Sequence, residues 1–131
     1  MLIFGHRFIE SSSFYHITNI DDITNTPPSS TIYFSFSEKN LDIIQHANLN
    51  HITMALSVKD VTEVIYASAL NATYIVVDKE IVKTAQTIAQ EYLFDAKIIV
   101  KIDSDEEIEE MALLGIDAVM YPNSIIRANA Q

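Results

Sequence analysis

Residues 58–77 read VKDVTEVIYASALNATYIVV, and this stretch contains the unit from which the fold is built. Asp60 is followed three positions later by Glu63, which is the spacing of a capping box at a helix start. Asn71 comes after the apolar positions of the helix, and asparagine tolerates the left-handed conformation that ends helices. The apolar run at residues 74–77 then has the length and composition of a buried strand. The stretch therefore predicts a capped helix that leads into a strand.

The same pattern occurs a second time in the chain. Residues 102–121, IDSDEEIEEMALLGIDAVMY, align with residues 58–77 without a gap. Ser104 and Glu107 match the helix cap of the first unit, and Gly115 matches Asn71. The repeat predicts a second helix–strand unit with the same ends, and it does not by itself imply a function.

Working outward from these two units, strand and helix patterns alternate from residue 31 onward. Apolar runs predict strands at 31–36, 51–57, 74–77, 97–102 and 118–121, and helical spacing predicts helices at 38–48, from 61, at 81–93 and at 105–114. Such alternation is typical of parallel strands joined by right-handed crossovers. The prediction is a single α/β domain over residues 1–131. It has an open, mainly parallel sheet of five to six strands with helices on both faces, a three-layer sandwich of the Rossmann or flavodoxin type.

Residues 1–30 do not follow this alternation. The apolar residues 2–4 predict a first or edge strand, and Gly5 a turn after it. The following segment is rich in Ser, Thr, Asn and Asp, and Pro27-Pro28 excludes a helix there. We expect irregular structure up to residue 30, with one short helical turn where Ile17, Ile20 and Ile23 recur at threes, and an alternating core over 31–127.

Composition limits the possible partners. The chain has 8 Lys+Arg and 18 Asp+Glu, a formal net charge of −10, which opposes binding to nucleic acid or to an anionic membrane surface. It has no cysteine, and its apolar runs are far shorter than the roughly 20 residues that cross a bilayer. The expectation is a cytoplasmic protein without direct membrane insertion.

Motifs for catalysis or metal binding are not found in the sequence. It contains neither a G-x-S-x-G elbow nor a phosphate loop of the G-x-x-x-x-G-K-[ST] type, and Gly5 and Gly115 are its two glycines. The acidic residues between 103 and 110 fit the solvated first turn of a helix better than a metal site. The four histidines are interpreted as structural. We therefore predict no catalytic residue and no metal ligand.

A binding site can still be predicted from position. In open parallel sheets, ligands bind beyond the carboxyl ends of the strands. The polar or small residues that follow the predicted strands give the candidate ligand-binding set: Gly5, Arg7, Ser35, Ser57, Asp78 and Lys101. Arg7 is a lone cation near a strand end, and we expect it to stay solvated rather than to hold an anion.

Three framework motifs resemble the N-terminal nucleotide-binding domain of the regulator-of-potassium-conductance family (RCK, or TrkA-N). Residues 72–77 (ATYIVV) resemble its fourth strand and residues 95–101 (DAKIIVK) its fifth. Residues 114–122 (LGIDAVMYP) resemble its closing Gly-x-Asp-x-Val-x-x-Pro strand. The resemblance covers residues 31–127, and it implies a Rossmann variant with a regulatory role in potassium transport.

The nucleotide-binding positions of that family differ in this chain. Arg7 and Glu10 stand where the second and third glycines would be, and Ser35 stands where the ribose-binding acid would be. We therefore expect no cofactor, because NAD binding in the usual Rossmann manner needs those groups. The leading hypothesis is a non-catalytic regulatory or assembly domain with a degenerate nucleotide-binding fold, and the expected partner is a second copy in a homodimer. A separate hypothesis is an interaction module whose exposed sheet edge or helix pairs with a copy of itself.

The residues leave two further alternatives open. The first is a domain or enzyme that binds a small molecule, such as a nucleotide or a phosphorylated ligand, at the carboxyl ends of the strands. The second is a half-barrel-like (βα) unit, because phrases such as LGIDAVM are frequent in (βα) barrels. Five or six strands fall short of the eight that close such a barrel alone.

Overall fold

A computed structural model describes residues 1–128 of the chain. In these residues there are eight strands and four α-helices, and the elements that were predicted after residue 31 have bounds close to the prediction. The strands are β1 (Leu2–Phe4), β2 (Phe14–His16), β3 (Thr31–Ser35), β4 (Met54–Ser57), β5 (Tyr74–Val77), β6 (Lys97–Lys101), β7 (Ala118–Met120) and β8 (Ile125–Arg127). The helices are α1 (Leu41–Leu49), α2 (Val61–Ala69), α3 (Val82–Glu91) and α4 (Glu106–Leu113), and short 3-10 helices lie at Ile20–Asn25, Glu38–Asn40 and Pro122–Ser124.

All eight strands form one parallel sheet in the order β1-β7-β6-β5-β4-β3-β2-β8. The α/β class and the parallel sheet are confirmed. The predicted number of five to six strands is wrong, because β2 and β8 were not recognised and β2 lies in the segment expected to be irregular. The short helical turn expected near Ile20 is present as the 3-10 helix Ile20–Asn25.

The strands bury alternate residues on two different faces. Ile32, Leu56, Ile75, Val100 and their neighbours of the same parity pack with the buried residues of α1, α2, α3 and α4 in one cluster. The other parity forms a second cluster that contains no helix residue: Phe4, Phe14, Tyr33, Ala55, Val76, Ile99, Ala118 and Met120, with Tyr74 and Ile125 packed against it. The described helices therefore cover one face of the sheet, which corrects the expectation of helices on both faces. None of the helices in residues 1–128 has the length and apolar character needed to cross a membrane.

The sheet is curled so that its ends meet. The ring centroids of Phe4 in β1 and Phe14 in β2 are 4.9 Å apart in an edge-to-face contact. Five strands stand between β1 and β2 in the sheet order, so a flat sheet would separate them by about 29 Å. The open sheet that we predicted is thus replaced by a barrel-like layer, with the second cluster inside it and the helices outside.

Gly5 lies at the seam where β1 and β8 approach each other. Its φ is +87°, and a Cβ placed there would lie 3.0 Å from Asn123 Oδ1, 3.1 Å from Ser124 Cβ and 3.2 Å from Ser124 N. Asn123 and Ser124 belong to the 3-10 turn that leads from β7 to β8. The predicted turn at Gly5 is confirmed, and its role is to let the end of β1 contact this connection.

The repeated helix ends follow the sequence prediction in most details. The Asp60 side chain accepts from the Glu63 N–H at 2.9 Å, and both Asn71 and Gly115 have positive φ values of 71° and 73°. The second helix start differs, because the Glu107 N–H donates to the Ser104 carbonyl rather than to its hydroxyl. The two units are therefore alike at their carboxyl ends and only partly alike at their starts.

Candidate functional site at the mouth of the barrel

The inside of the barrel changes from apolar to polar along the strands. The inward positions of the strands carry the apolar second cluster. Two residues further on, the same parity carries polar side chains at the carboxyl ends of most strands. These residues are His16, Ser35, Ser57, Asp78, Lys101 and Arg127. This polar ring is the mouth of the barrel, the end at which (βα) barrels carry their binding residues.

A depression of about 500 Å³ opens at one side of the mouth, beyond β5, β6, β7 and the start of β8. We call it the mouth cavity. Its volume lies within the roughly 300–1,000 Å³ of small-molecule sites. Its lining combines an apolar floor with charged residues: Asp78, Lys79, Glu80, Lys101, Ile102, Asp103, Met120, Tyr121, Pro122 and Ile125.

Asp78 and Lys101 are placed side by side by the register of two neighbouring strands. Val77 of β5 pairs with Val100 of β6, so Asp78 and Lys101 are the next residues along this pair. Both are exposed, and in residues 1–128 neither takes part in an ion pair or a side-chain hydrogen bond. The structure thus brings these two sequence-predicted site residues together in one cavity, with both charges available.

Ser35 and Ser57 face each other on the other side of the mouth. They are register partners in β3 and β4, and the Ser35 carbonyl accepts from the Asn40 side chain at 2.7 Å. Neither residue lines the mouth cavity. They belong to the same polar ring as Asp78 and Lys101, but to a different part of it.

His16 and Arg127 are members of the ring that the sequence prediction missed. They are register partners in β2 and β8, and the His16 ring packs on the Tyr33 ring with centroids 5.4 Å apart. The available signal was the parity of the triplets Phe-Tyr-His and Ile-Ile-Arg, each an apolar residue followed by a polar residue on the same face. Each triplet is too short for that signal to be read without the barrel.

The carboxylate of Asp105 connects three chain segments at the edge of the mouth cavity. Its Oδ1 accepts from the Tyr121 hydroxyl and lies 3.3 Å from His6 Nε2, and its Oδ2 lies 3.6 Å from an Arg7 guanidinium nitrogen. These bonds, led by the one from Tyr121, hold the pKa of Asp105 below its usual value. Burial and the bond to Asp105 raise the pKa of Tyr121 to about 12, so its hydroxyl stays protonated at neutral pH.

His6 has a structural role in this arrangement. The Phe8 N–H donates to His6 Nδ1 at 3.1 Å, which makes Nε2 the nitrogen that carries the proton towards Asp105. Both ring nitrogens are thus engaged, and the side chain is 7% exposed. Arg7 is 71% exposed and stacks on the Phe8 ring at 4.4 Å while it contacts Asp105. Gly5 and Arg7 therefore lie at the barrel seam and its rim, and neither lines the mouth cavity.

Glu107 holds in place the loop after β6, which forms one wall of the mouth cavity. Its carboxylate accepts from the N–H groups of Asp103 and Ser104 at 2.8 and 3.0 Å and forms an ion pair with Lys79. The bond from Lys79, followed by the two backbone bonds, lowers the pKa of Glu107 to about 2. The loop after β5 and the loop after β6 are thereby joined.

We expect the Glu107 carboxylate to make the free energy of unfolding depend on pH in the acidic range. The folded-state pKa of about 2 lies below the ordinary value of 4.5, so Glu107 stabilises the fold above pH 4.5, and this contribution is lost as the pH falls towards 2. Glu107→Gln should flatten the pH dependence of the urea unfolding midpoint in that window. Glu109→Gln on the exposed side of the same helix is the control. Identical pH profiles for wild type and Glu107→Gln would contradict the assignment.

Comparison of the sequence with protein-family models and with curated proteins gives no match. The resemblance to the RCK family stays a prediction.

Proposed function

We propose that this chain binds a small polar organic molecule in the mouth cavity. The observation that carries the proposal is the change inside the barrel from a closed apolar floor to a polar ring, with a cavity of about 500 Å³ at that boundary. Ligand sites usually combine an apolar lining with a few polar groups that fix orientation. This proposal develops the alternative of a small-molecule domain that uses the carboxyl ends of the strands.

The charges of the cavity support binding rather than a purely structural role. Lys79 is held by Glu107, whereas Lys101 and Asp78 have no partner of opposite charge within residues 1–128. Tyr121 donates its only hydroxyl proton to Asp105, so its oxygen can offer a ligand an acceptor. The cavity therefore presents one cationic donor and several acceptors over an apolar floor.

The seam at Gly5 supports the expectation that NAD does not bind in the Rossmann manner. Such binding needs open space beside the glycine turn after the first strand, so that the pyrophosphate can approach the backbone. Here Asn123 and Ser124 occupy this space, because even a Cβ placed on Gly5 would lie only 3.0–3.2 Å from their atoms. We therefore expect any nucleotide to bind elsewhere than at Gly5.

Lys101→Ala is expected to abolish ligand-induced stabilisation. A thermal-shift screen of the full chain would cover NAD(H), NADP(H), AMP, ATP, sugar phosphates, carboxylic acids and amino acids. A ligand at 100 times its Kd stabilises the folded state by about 2.7 kcal/mol. Lys83→Ala is the matched control, because Lys83 is exposed on α3, outside the barrel.

Binding in the mouth cavity requires two results in this screen. At least one compound must raise the melting temperature of the wild type, and Lys101→Ala must lose that shift while Lys83→Ala keeps it. A panel without any shift, or a shift that is equal in both variants, would refute binding in the mouth cavity.

An assembly role is a second candidate, and exposed apolar side chains at the opposite end of the barrel favour it. Four of the five most exposed large apolar residues in 1–128 lie at the carboxyl ends of helices: Leu49, Tyr92, Leu93 and Leu113. Their exposed fractions are between 75% and 85%. Isolated apolar residues are common on surfaces, so the test is sedimentation velocity at micromolar concentrations, where a strict monomer would exclude a homodimer.

A further inference from the structure

We infer that the mouth cavity is built for a zwitterion, and specifically for an α-amino acid with an apolar side chain. This inference rests on the proposed binding function and names the class of ligand. It depends on three features of the cavity: two unpaired opposite charges in register, a surplus of acceptors around them, and an apolar floor.

The two opposite charges are the first feature. Asp78 and Lys101 follow register partners on neighbouring parallel strands, whose backbones are about 4.8 Å apart. No ion pair joins them in the described structure. An α-amino acid carries an ammonium and a carboxylate on one carbon, so a single molecule can satisfy both side chains at once. Charge-assisted hydrogen bonds of this kind are roughly twice as strong as neutral ones.

The surplus of acceptors argues against a doubly charged anion such as a phosphate monoester. The acidic residues that line the cavity are Asp78, Glu80 and Asp103, and the lining cations are Lys79 and Lys101. Lys79 is already neutralised by Glu107, which leaves Lys101 as the unpaired cation of the lining. The Tyr121 oxygen adds a further acceptor. A ligand must therefore bring donors as well as one negative charge, as an ammonium group does.

The apolar floor gives the expected side chain of the ligand. Met120 from the second cluster and Ile102 from the helix-facing cluster are almost completely buried, and Ile125 and Pro122 complete the apolar part of the lining. Binding of a ligand's apolar side chain on this floor would be favoured by about 25 cal/mol for each Å² of apolar surface that is removed from water. Glycine lacks that group, and leucine or methionine has it.

The test uses L-leucine as the probe and three analogues that each lack one feature. The analogues are 3-methylbutylamine without the carboxylate, 4-methylpentanoate without the ammonium, and glycine without the apolar group, and glycerol 3-phosphate is added as a dianion. Calorimetric titration of the full chain measures Kd, and amide chemical shifts locate the ligand. We expect L-leucine to shift the amides of Asp78, Lys101 and Tyr121, and each analogue to bind at least tenfold more weakly.

Variants separate the two charges. Asp78→Asn should weaken L-leucine at least tenfold and leave 4-methylpentanoate unchanged, whereas Lys101→Ala should weaken both. Glu91→Gln is the control for a lost carboxylate, because Glu91 is exposed at the end of α3. Melting curves of all three variants confirm that each is folded.

The outcomes distinguish this inference from the function on which it rests. If 4-methylpentanoate or glycerol 3-phosphate binds the mouth as tightly as L-leucine, the zwitterion is refuted and binding in the cavity stands. If none of the five probes shifts the mouth amides, the zwitterion is refuted too. In that case the wider screen with Lys101→Ala decides on the cavity itself.

Discussion

Gly5→Ala is expected to lower the free energy of unfolding by about 2–4 kcal/mol. About 1–2 kcal/mol comes from placing a residue with a Cβ in the left-handed region, where Gly5 has φ +87°. The rest, about 1–2 kcal/mol, comes from overpacking, because the new Cβ would lie 3.0 Å from Asn123 Oδ1 and 3.1–3.2 Å from Ser124. The contact with the Ser124 backbone nitrogen cannot be relieved by rotating a side chain.

Gly115→Ala is the matched control for this substitution. Gly115 also has a positive φ, +73°, but the nearest atom to its added Cβ is Gln90 Nε2 at 3.9 Å. It should therefore lose only the conformational part, about 1–2 kcal/mol. Urea unfolding of both variants measures the difference, and equal losses would show that β1 does not pack tightly on the β7–β8 connection.

Gly5 also illustrates what the sequence could and could not predict. The turn after the apolar residues 2–4 is predictable, because a glycine after a short strand is a strong local signal. Its cause is not, because the Asn123–Ser124 contact joins residues more than a hundred positions apart in the chain. A short apolar strand followed by a glycine begins a nucleotide-binding fingerprint, and it also occurs at the seam of this barrel. The local pattern therefore does not distinguish the two.

Most of the strands that were predicted are longer than the two that were missed, and they also differ in what surrounds them. β3, β4, β5 and β6 have four or five residues and are followed by amphipathic helices, so both the strand and the crossover leave a pattern. β2 and β8 have three residues each, and no α-helix precedes or follows β2 before β3. Without them, the strand number stays below the eight that close a barrel, and an open sheet is the natural interpretation.

The residues of the candidate site also fall into a group that the sequence predicts and a group that it does not. Asp78 and Lys101 were predicted because polar residues at strand ends meet at one edge of a parallel sheet. His16 and Arg127 belong to the same ring and could not be predicted while β2 and β8 were unknown. The bonds of Asp105 with His6 and Tyr121 are tertiary, and neither spacing nor residue type indicates them.

Phe14→Ala is expected to have the largest effect on stability, a loss of about 3–5 kcal/mol. Phe14 is 1% exposed, and its ring packs edge to face with Phe4 at 4.9 Å and with Tyr74 at 5.6 Å between centroids. Truncation would open a cavity between rings from three different strands inside the barrel. Tyr15→Ala, on the outer face of the same strand and only partly buried, is the control and should cost less.

A double-mutant cycle of Phe4→Ala and Phe14→Ala tests the closure of the barrel directly. Aromatic pairs in edge-to-face contact are coupled by about 0.5–1.5 kcal/mol, whereas residues more than about 10 Å apart are additive within about 0.5 kcal/mol. In a flat sheet these side chains would be too far apart to interact, because five strands separate β1 from β2. We therefore expect the double variant to lose less stability than the two single losses combined. Strict additivity would mean that the two ends of the sheet do not meet. The apolar interior of the barrel, which contributes Met120 and Ile125 to the floor of the mouth cavity, would then not be closed.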